Sequence, residues 1–165
     1  MAMLGSSFVM YEEEFDKINS ILTRLWTDSN AKIVFLVDKN GQQIAAKGDL
    51  EKVDATSLAS LTAGNVAATD GLARLIGEKE FSILFHEGEK DNIHISIVGQ
   101  RLILVVIFDE RSSLGLVRLR VRKSAAEVEE VLAQMASKAA TQEGQIAASP
   151  FAEITDEDID ALFSE

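Results

Sequence analysis

Two histidines and an absence of cysteine set narrow limits on the chemistry this chain can do. Strands read over Phe81–His86 and Ile93–Val98 would bring His86 and His94 onto neighbouring strands, where a histidine pair could share a metal or a proton. The plainer reading, two strand residues on the wetter face of a sheet, is favoured, because catalytic pairs are rare. Without cysteine there is no thiolate nucleophile or disulfide, and a structural zinc site is improbable. Asp38-Lys-Asn-Gly41 opens like a calcium loop, but position 36 is Leu and no glutamate stands six residues beyond the glycine. Gly71 to Lys79 lacks the phosphate-loop spacing and puts Glu78 before the lysine. Neither a GxSxG elbow nor an HExxH pair occurs. The expectation is a protein that is not an enzyme and uses no metal or cofactor.

Three constellations suit binding instead. The first is a helix crowded with small residues. Ala59, Ala63, Ala67 and Gly71 recur every four residues, with Gly64 and Ala68 beside them. Glycine inside a helix costs up to about 1 kcal/mol, so a close approach by another surface is the functional reading. A tight fit against the chain's own sheet is the alternative. Since Leu58, Leu61, Leu72 and Leu75 form a separate greasy stripe, the leucines are expected to cover the sheet and the small residues to face a partner.

The second is a basic run, Arg111, Arg118, Arg120, Arg122 and Lys123, with no acid between residues 111 and 126. Cations at a helix start oppose its dipole. They could meet acids on a partner or in the chain's own tail, or form a solvated face with weak ion pairs. The third is the tail. Thr155 can cap a short helix with acids in its first turn, and Ile159, Leu162 and Phe163 then share one face, with Phe151 and Ile154 upstream. A segment this short is not stable alone in water and is read as a recognition helix that folds onto a partner.

The elements that must position these residues follow from periodicity and turn chemistry. Residues 12–28 read as a helix, with Phe15, Ile18, Leu22, Leu25 and Trp26 on one face and three glutamates in the first turn. Ala31–Val37 is a buried strand, and Asn40-Gly41 turns it into a hairpin with Gln42–Lys47. Residues 54–77 form the small-residue helix. Strands follow at Phe81–His86, Ile93–Val98 and Leu102–Phe108, the last two joined by a tight Gly99-Gln100 turn. A third helix is expected from about Ser113 to Ala140. Leu116–Arg122 also alternates as a short strand would, but the helical spacing continues further. The fold class is an α/β (α+β) sandwich: a five-stranded, mostly antiparallel sheet with helices packed on it, in the order α-β-β-α-β-β-β-α. The expected organisation is a domain over 1–140, a flexible linker over 141–150 and an acidic amphipathic tail over 151–165.

Composition narrows the partners. The net charge is −11, and residues 149–165 supply six of those charges with no Lys or Arg. Such a surface repels phosphate backbones, so no nucleic acid is expected. No apolar run is long enough to insert in a membrane and no signal peptide is read, which points to the cytoplasm.

Lys32-Ile-Val-Phe-Leu-Val-Asp-Lys-Asn-Gly41, Ser57-Leu-Ala-Ser-Leu-Thr-Ala-Gly-Asn-Val66 and Ser113-Leu-Gly-Leu-Val-Arg118 together resemble the Roadblock/dynein light chain family over about residues 11–140. The resemblance implies a Roadblock-like homodimer joined through the second helix and third strand, with Phe81, Ser82, Ile83 and Leu84 at the dimer interface. It further implies one small Ras-like GTPase seated on the paired helices, against Ala59, Ala63, Gly64, Ala67, Ala68 and Gly71, with two copies of this chain per GTPase. GTP hydrolysis would be stimulated by repositioning the GTPase's own catalytic residues, in bacterial cell polarity and motility. Arg74, Arg101 and Arg111 are available as arginine fingers, though nothing local singles one out. A scaffold or adaptor without rate effect, or a nucleotide-exchange stimulator acting through the tail, are the alternatives.

Overall fold

A computed structural model describes the backbone of residues 2–4 and 8–147 and the side chains of residues 10–141. Two short strands, β1 (Ala2–Leu4) and β2 (Phe8–Met10), pair antiparallel at the start. Helix α1 (Glu12–Asp28) follows, then β3 (Ile33–Asp38), β4 (Gln43–Gly48), a 3-10 turn at Leu50–Lys52, and α2 (Ala55–Leu75). Strands β5 (Ile83–Glu87), β6 (Asn92–Val98) and β7 (Leu102–Phe108) lead to α3 (Leu114–Ala147).

The five longer strands form one antiparallel sheet in the order β4-β3-β7-β6-β5. The expected order α-β-β-α-β-β-β-α is therefore observed, with the β1–β2 hairpin added in front. The turns are as their residues require. Gly41 has φ +88° in the β3–β4 hairpin, and Gly99 and Gln100 both have φ near +60° between β6 and β7, as a two-residue primed turn demands. The Asp38 carboxylate accepts from the Asn40 and Gln42 amides and fixes the first turn from inside.

Strands β3 and β7 are buried along their full length, so the sheet carries a core on both faces. On one face, Ile33, Phe35 and Val37 of β3, Ile95 of β6 and Ile103, Val105 and Ile107 of β7 pack with Ala59, Ala63 and Val66 of α2. The alternate residues, Val34, Leu36, Leu104 and Val106, project the other way, beneath α1 and the first turns of α3. There Ile18, Leu22 and Leu25 of α1 and Val117, Val121 and Val128 of α3 are buried. An ion pair from Arg24 to Glu127 at 2.7 Å ties α1 to α3. Trp26, expected on the buried face of α1, is partly exposed at the helix end, where its Nε1 donates to the Lys32 carbonyl.

Helix α3 runs to Ala147, so the first part of the segment expected to be a flexible linker is helical. The chain divides into two compact units, Met1–Val131, which holds both sheets, and Leu132–Glu165. The tail residues Phe151, Ile154, Ile159, Leu162 and Phe163 lie outside the described residues. No described helix is long and apolar enough to cross a membrane.

Candidate partner-binding surface

Helix α2 starts at Asp54, whose side chain caps the helix by accepting from the Ser57 amide at 3.1 Å and the Ser57 hydroxyl at 2.7 Å. The Ser57 hydroxyl, and then its amide, favour the carboxylate and lower the Asp54 pKa. From this anchor the helix crosses β3 and β4, and midway along it the Asn65 side chain meets His86 of β5 at 3.0 Å.

The two sides of α2 are the reverse of what the side-chain sizes suggest. Ala59 is 1% exposed and Ala63 8% exposed, and with Val66 and Ala73 they form the buried stripe. A methyl placed on Gly41 would meet the Ser60 Cα at 3.2 Å and the Ala63 Cβ at 3.6 Å. Helix and hairpin thus approach almost backbone to backbone, and larger residues at 59 and 63 would push them apart. The expectation that Ala59 and Ala63 face a partner is therefore corrected: they are core residues of their own subunit. Of the leucines expected on the sheet, Leu58 packs against this core, while the others are outside. Leu61 is 73% exposed, Leu72 59%, Leu75 84% and Ile76 68%.

Of the proposed docking set, Gly64, Ala67, Ala68 and Gly71 do lie on the surface. A Cβ added to Gly64 or Gly71 meets no atom within 4 Å, so neither glycine is required by packing within this chain. The exposed side of α2 therefore alternates large apolar residues with near-bare backbone.

This surface runs toward an open sheet edge. β5 pairs only with β6, on one side. The strand begins at Ile83, so Phe81 and Ser82, expected within it, precede it; the Ser82 carbonyl still accepts from Ile97 at 2.9 Å. Ile83 is 52% exposed, whereas Leu84 packs against the α2-side core. An unpaired edge strand with an exposed isoleucine, on a sheet whose α2 side carries exposed leucines, invites another chain.

The histidines do not form a pair. His94 lies opposite Phe85 in the β5–β6 register and His86 opposite Ile93, so the two rings project to opposite faces of the sheet. His86 is exposed on the α2 side. His94 is buried on the other side, not on a wet face, and neither ring nitrogen has a hydrogen-bond partner among the described residues. Burial, and then the Arg118 charge, lower its pKa. No group of three potential metal ligands occurs among the described residues. Of the three arginines, Arg111 is held by Asp109 at 3.1 Å, which the loop geometry explains. Arg101 sits in the β6–β7 turn, and Arg74 is exposed in the last turn of α2.

The geometry of α2 over a five-stranded sheet has direct relatives. The Roadblock/LC7 domain model matches residues 17–108. The chain belongs to the Roadblock/LC7 family. Myxococcus xanthus MglB is 60% identical, covering 78% of this chain and 96% of that one, with a TM-score of 0.74. The gliding protein MglB of Thermus thermophilus is 30% identical, covering 78% and 97%, with a TM-score of 0.72. An MglB structure with a tetrameric arrangement is 29% identical over 80% of this chain and 99% of that one, with a TM-score of 0.74. A comparison with curated proteins gave no match. The residues matched by the Roadblock/LC7 model, 17–108, include the whole five-stranded sheet and α2, and so the surface described above.

Proposed function

We propose that two copies of this chain pair through the outward side of α2 and the β5 edge, and that the pair grips a small Ras-like, MglA-type GTPase and stimulates its GTP hydrolysis. The observation that carries the reading is the set of exposed apolar side chains Leu61, Leu72, Leu75 and Ile76 on α2, together with the unpaired outer edge of β5. Burying one leucine of this kind contributes about 1.5–3 kcal/mol, so a surface with several is poised for a partner. Pairing of β5 with its twin would extend the sheet across two subunits and satisfy the edge amides. Gly64, Ala67, Ala68 and Gly71 then offer close backbone approach to the GTPase, while Ala59 and Ala63 hold the helix down on its own sheet.

The chain supplies no catalytic group in this account. It acts by binding the hydrolysis-competent conformation of the GTPase more tightly than the others, which shifts its population. Relatives described as MglB and as a gliding protein support a role in cell polarity and motility, which the protein would play in the cytoplasm. The test is GTP hydrolysis by the MglA-type GTPase of the same cell, with and without the full chain. Faster hydrolysis supports the activator. Binding with an unchanged rate would make the chain a scaffold or adaptor. A second reading rests on the amphipathic, acidic sequence of residues 149–165: faster release of labelled GDP, abolished by deleting that segment, would make the chain an exchange stimulator.

A further inference from the structure

The outward side of α3 carries a pattern that the α2 surface does not explain. At 100° per residue, Val117, Val121, Ser124 and Val128 lie together on the buried side of the helix. Diametrically opposite them lie Leu119, Arg122, Lys123, Ala126, Glu129 and Glu130, all exposed. Leu119 is 62% exposed. None of these four charged residues has an ion-pair partner among the described residues. Weak ion pairing within the chain, the plain account of the basic run, therefore leaves Arg122 and Lys123 unexplained.

The pattern is self-complementary about Ala126. Two cations stand three and four residues before it, and two acids three and four residues after it. We propose that α3 is a second self-association surface, on which two copies of the chain pair antiparallel about a two-fold axis at Ala126. In that arrangement Arg122 and Glu129 fall on the same flank, at heights differing by about one residue rise of 1.5 Å. Lys123 and Glu130 do the same on the other flank. The two-fold symmetry repeats each pair, so every unpaired charge on this face meets its opposite. The small side chain of Ala126 lets the helix axes approach to about 8–10 Å at the centre, and Leu119 gains cover at each end. A parallel pairing would set like charges against each other, so the pattern selects one direction. With a net charge of −11, two copies repel at long range. Screening over about 10 Å in ordinary salt leaves the local pairs to decide.

This surface lies on the opposite face of the sheet from α2, so one chain can use both. The test is sedimentation velocity of the full chain at low ionic strength. Arg122→Glu with Lys123→Glu makes the face wholly acidic, and Glu129→Lys with Glu130→Lys makes it wholly basic. Each double variant should sediment as a smaller assembly than the native chain, with the step weakened at least about tenfold. Mixing the two variants should restore the native size, because the acidic face of one then meets the basic face of the other. About 0.5 M salt should shrink the native assembly in the same way. Native and reversed chains of equal mass, or a mixture that does not reassociate, would overturn the proposal. So would loss of co-sedimentation with phosphatidylserine vesicles in the acidic variant while the native mass stays unchanged, since the face would then serve a lipid surface.

Discussion

The sheet-facing and outward sides of α2 are both apolar, yet they do opposite work. Ala59, Ala63 and Val66 are small and buried, while Leu61, Leu72, Leu75 and Ile76 are large and in solvent. The difference shows that residue size on this helix reports the distance to its neighbour, not the depth of burial. Phe35, Ile103 and Val105 already fill the space above the sheet, and the Gly41 turn presses on the helix from one side. Only short side chains fit there. The large ones are left for whatever docks from outside.

The contrast can be broken from the inside first. Ala59→Leu forces three extra carbons into a closed space and should destabilise the fold by about 2–3 kcal/mol, read as a lower urea midpoint with unchanged slope. A neutral outcome would mean that α2 stands further from the sheet than described. From the outside, Leu72→Glu with Leu75→Glu should leave the urea midpoint nearly unchanged. It should weaken self-association through α2 by at least about a hundredfold, given about 1.5–3 kcal/mol for each buried leucine. Sedimentation equilibrium checks this, and an unaltered dissociation constant would place the interface elsewhere.

Ala67→Arg sharpens the comparison further. It puts a long cation on the outward side, so folding stability should stay within about 0.5 kcal/mol while binding of the GTPase is lost, as calorimetric titration would show. Gly64→Ala is subtler. With nothing near its Cβ, it should stabilise the isolated chain by about 0.5–1 kcal/mol. If it also reduces GTPase affinity, the glycine serves close approach by a partner. If affinity is unchanged, it does not.

Much of this architecture is legible in the residues. Gly41 and Gly99 mark the hairpins because glycine accepts positive φ without steric cost, and the strands around them are β-branched and short. The helices follow from their spacing. The orientation of α2 is not legible, because a stripe of alanines and a stripe of leucines are both compatible with a core, and volume decides between them. Val66 is the available clue: it continues the Ala59–Ala63 row and puts a branched residue on the small side. The alternation of β6 misplaces His94 for a related reason. Ile93, Ile95 and Ile97 look like the buried half of an alternating strand, but β6 is covered on both faces, so its polar half is buried as well. The β1–β2 hairpin has only three-residue strands to announce it.

The buried His94 yields the smallest expected effect, on the sheet face away from α2. Its folded pKa lies below the ordinary value because burial, and then Arg118, disfavour the cation. The unfolded chain therefore binds the proton more readily. Stability should be full above about pH 6.5 and fall as pH drops below it, by at most about 1.4 kcal/mol per pH unit. His94→Gln should flatten that slope in urea titrations, and an unchanged slope would assign the titration to another group.

The most direct test of the outward α2 surface is amide hydrogen exchange of the full chain, followed at low concentration, at high concentration, and with the GTP-loaded GTPase added. Peptides covering Ser82–Glu87 should gain protection as concentration rises, and those covering Gly64–Gly71 should gain more when the GTPase is present. Protection that never changes in α2 or β5, while the GTPase protects some other part of the chain, would contradict the account.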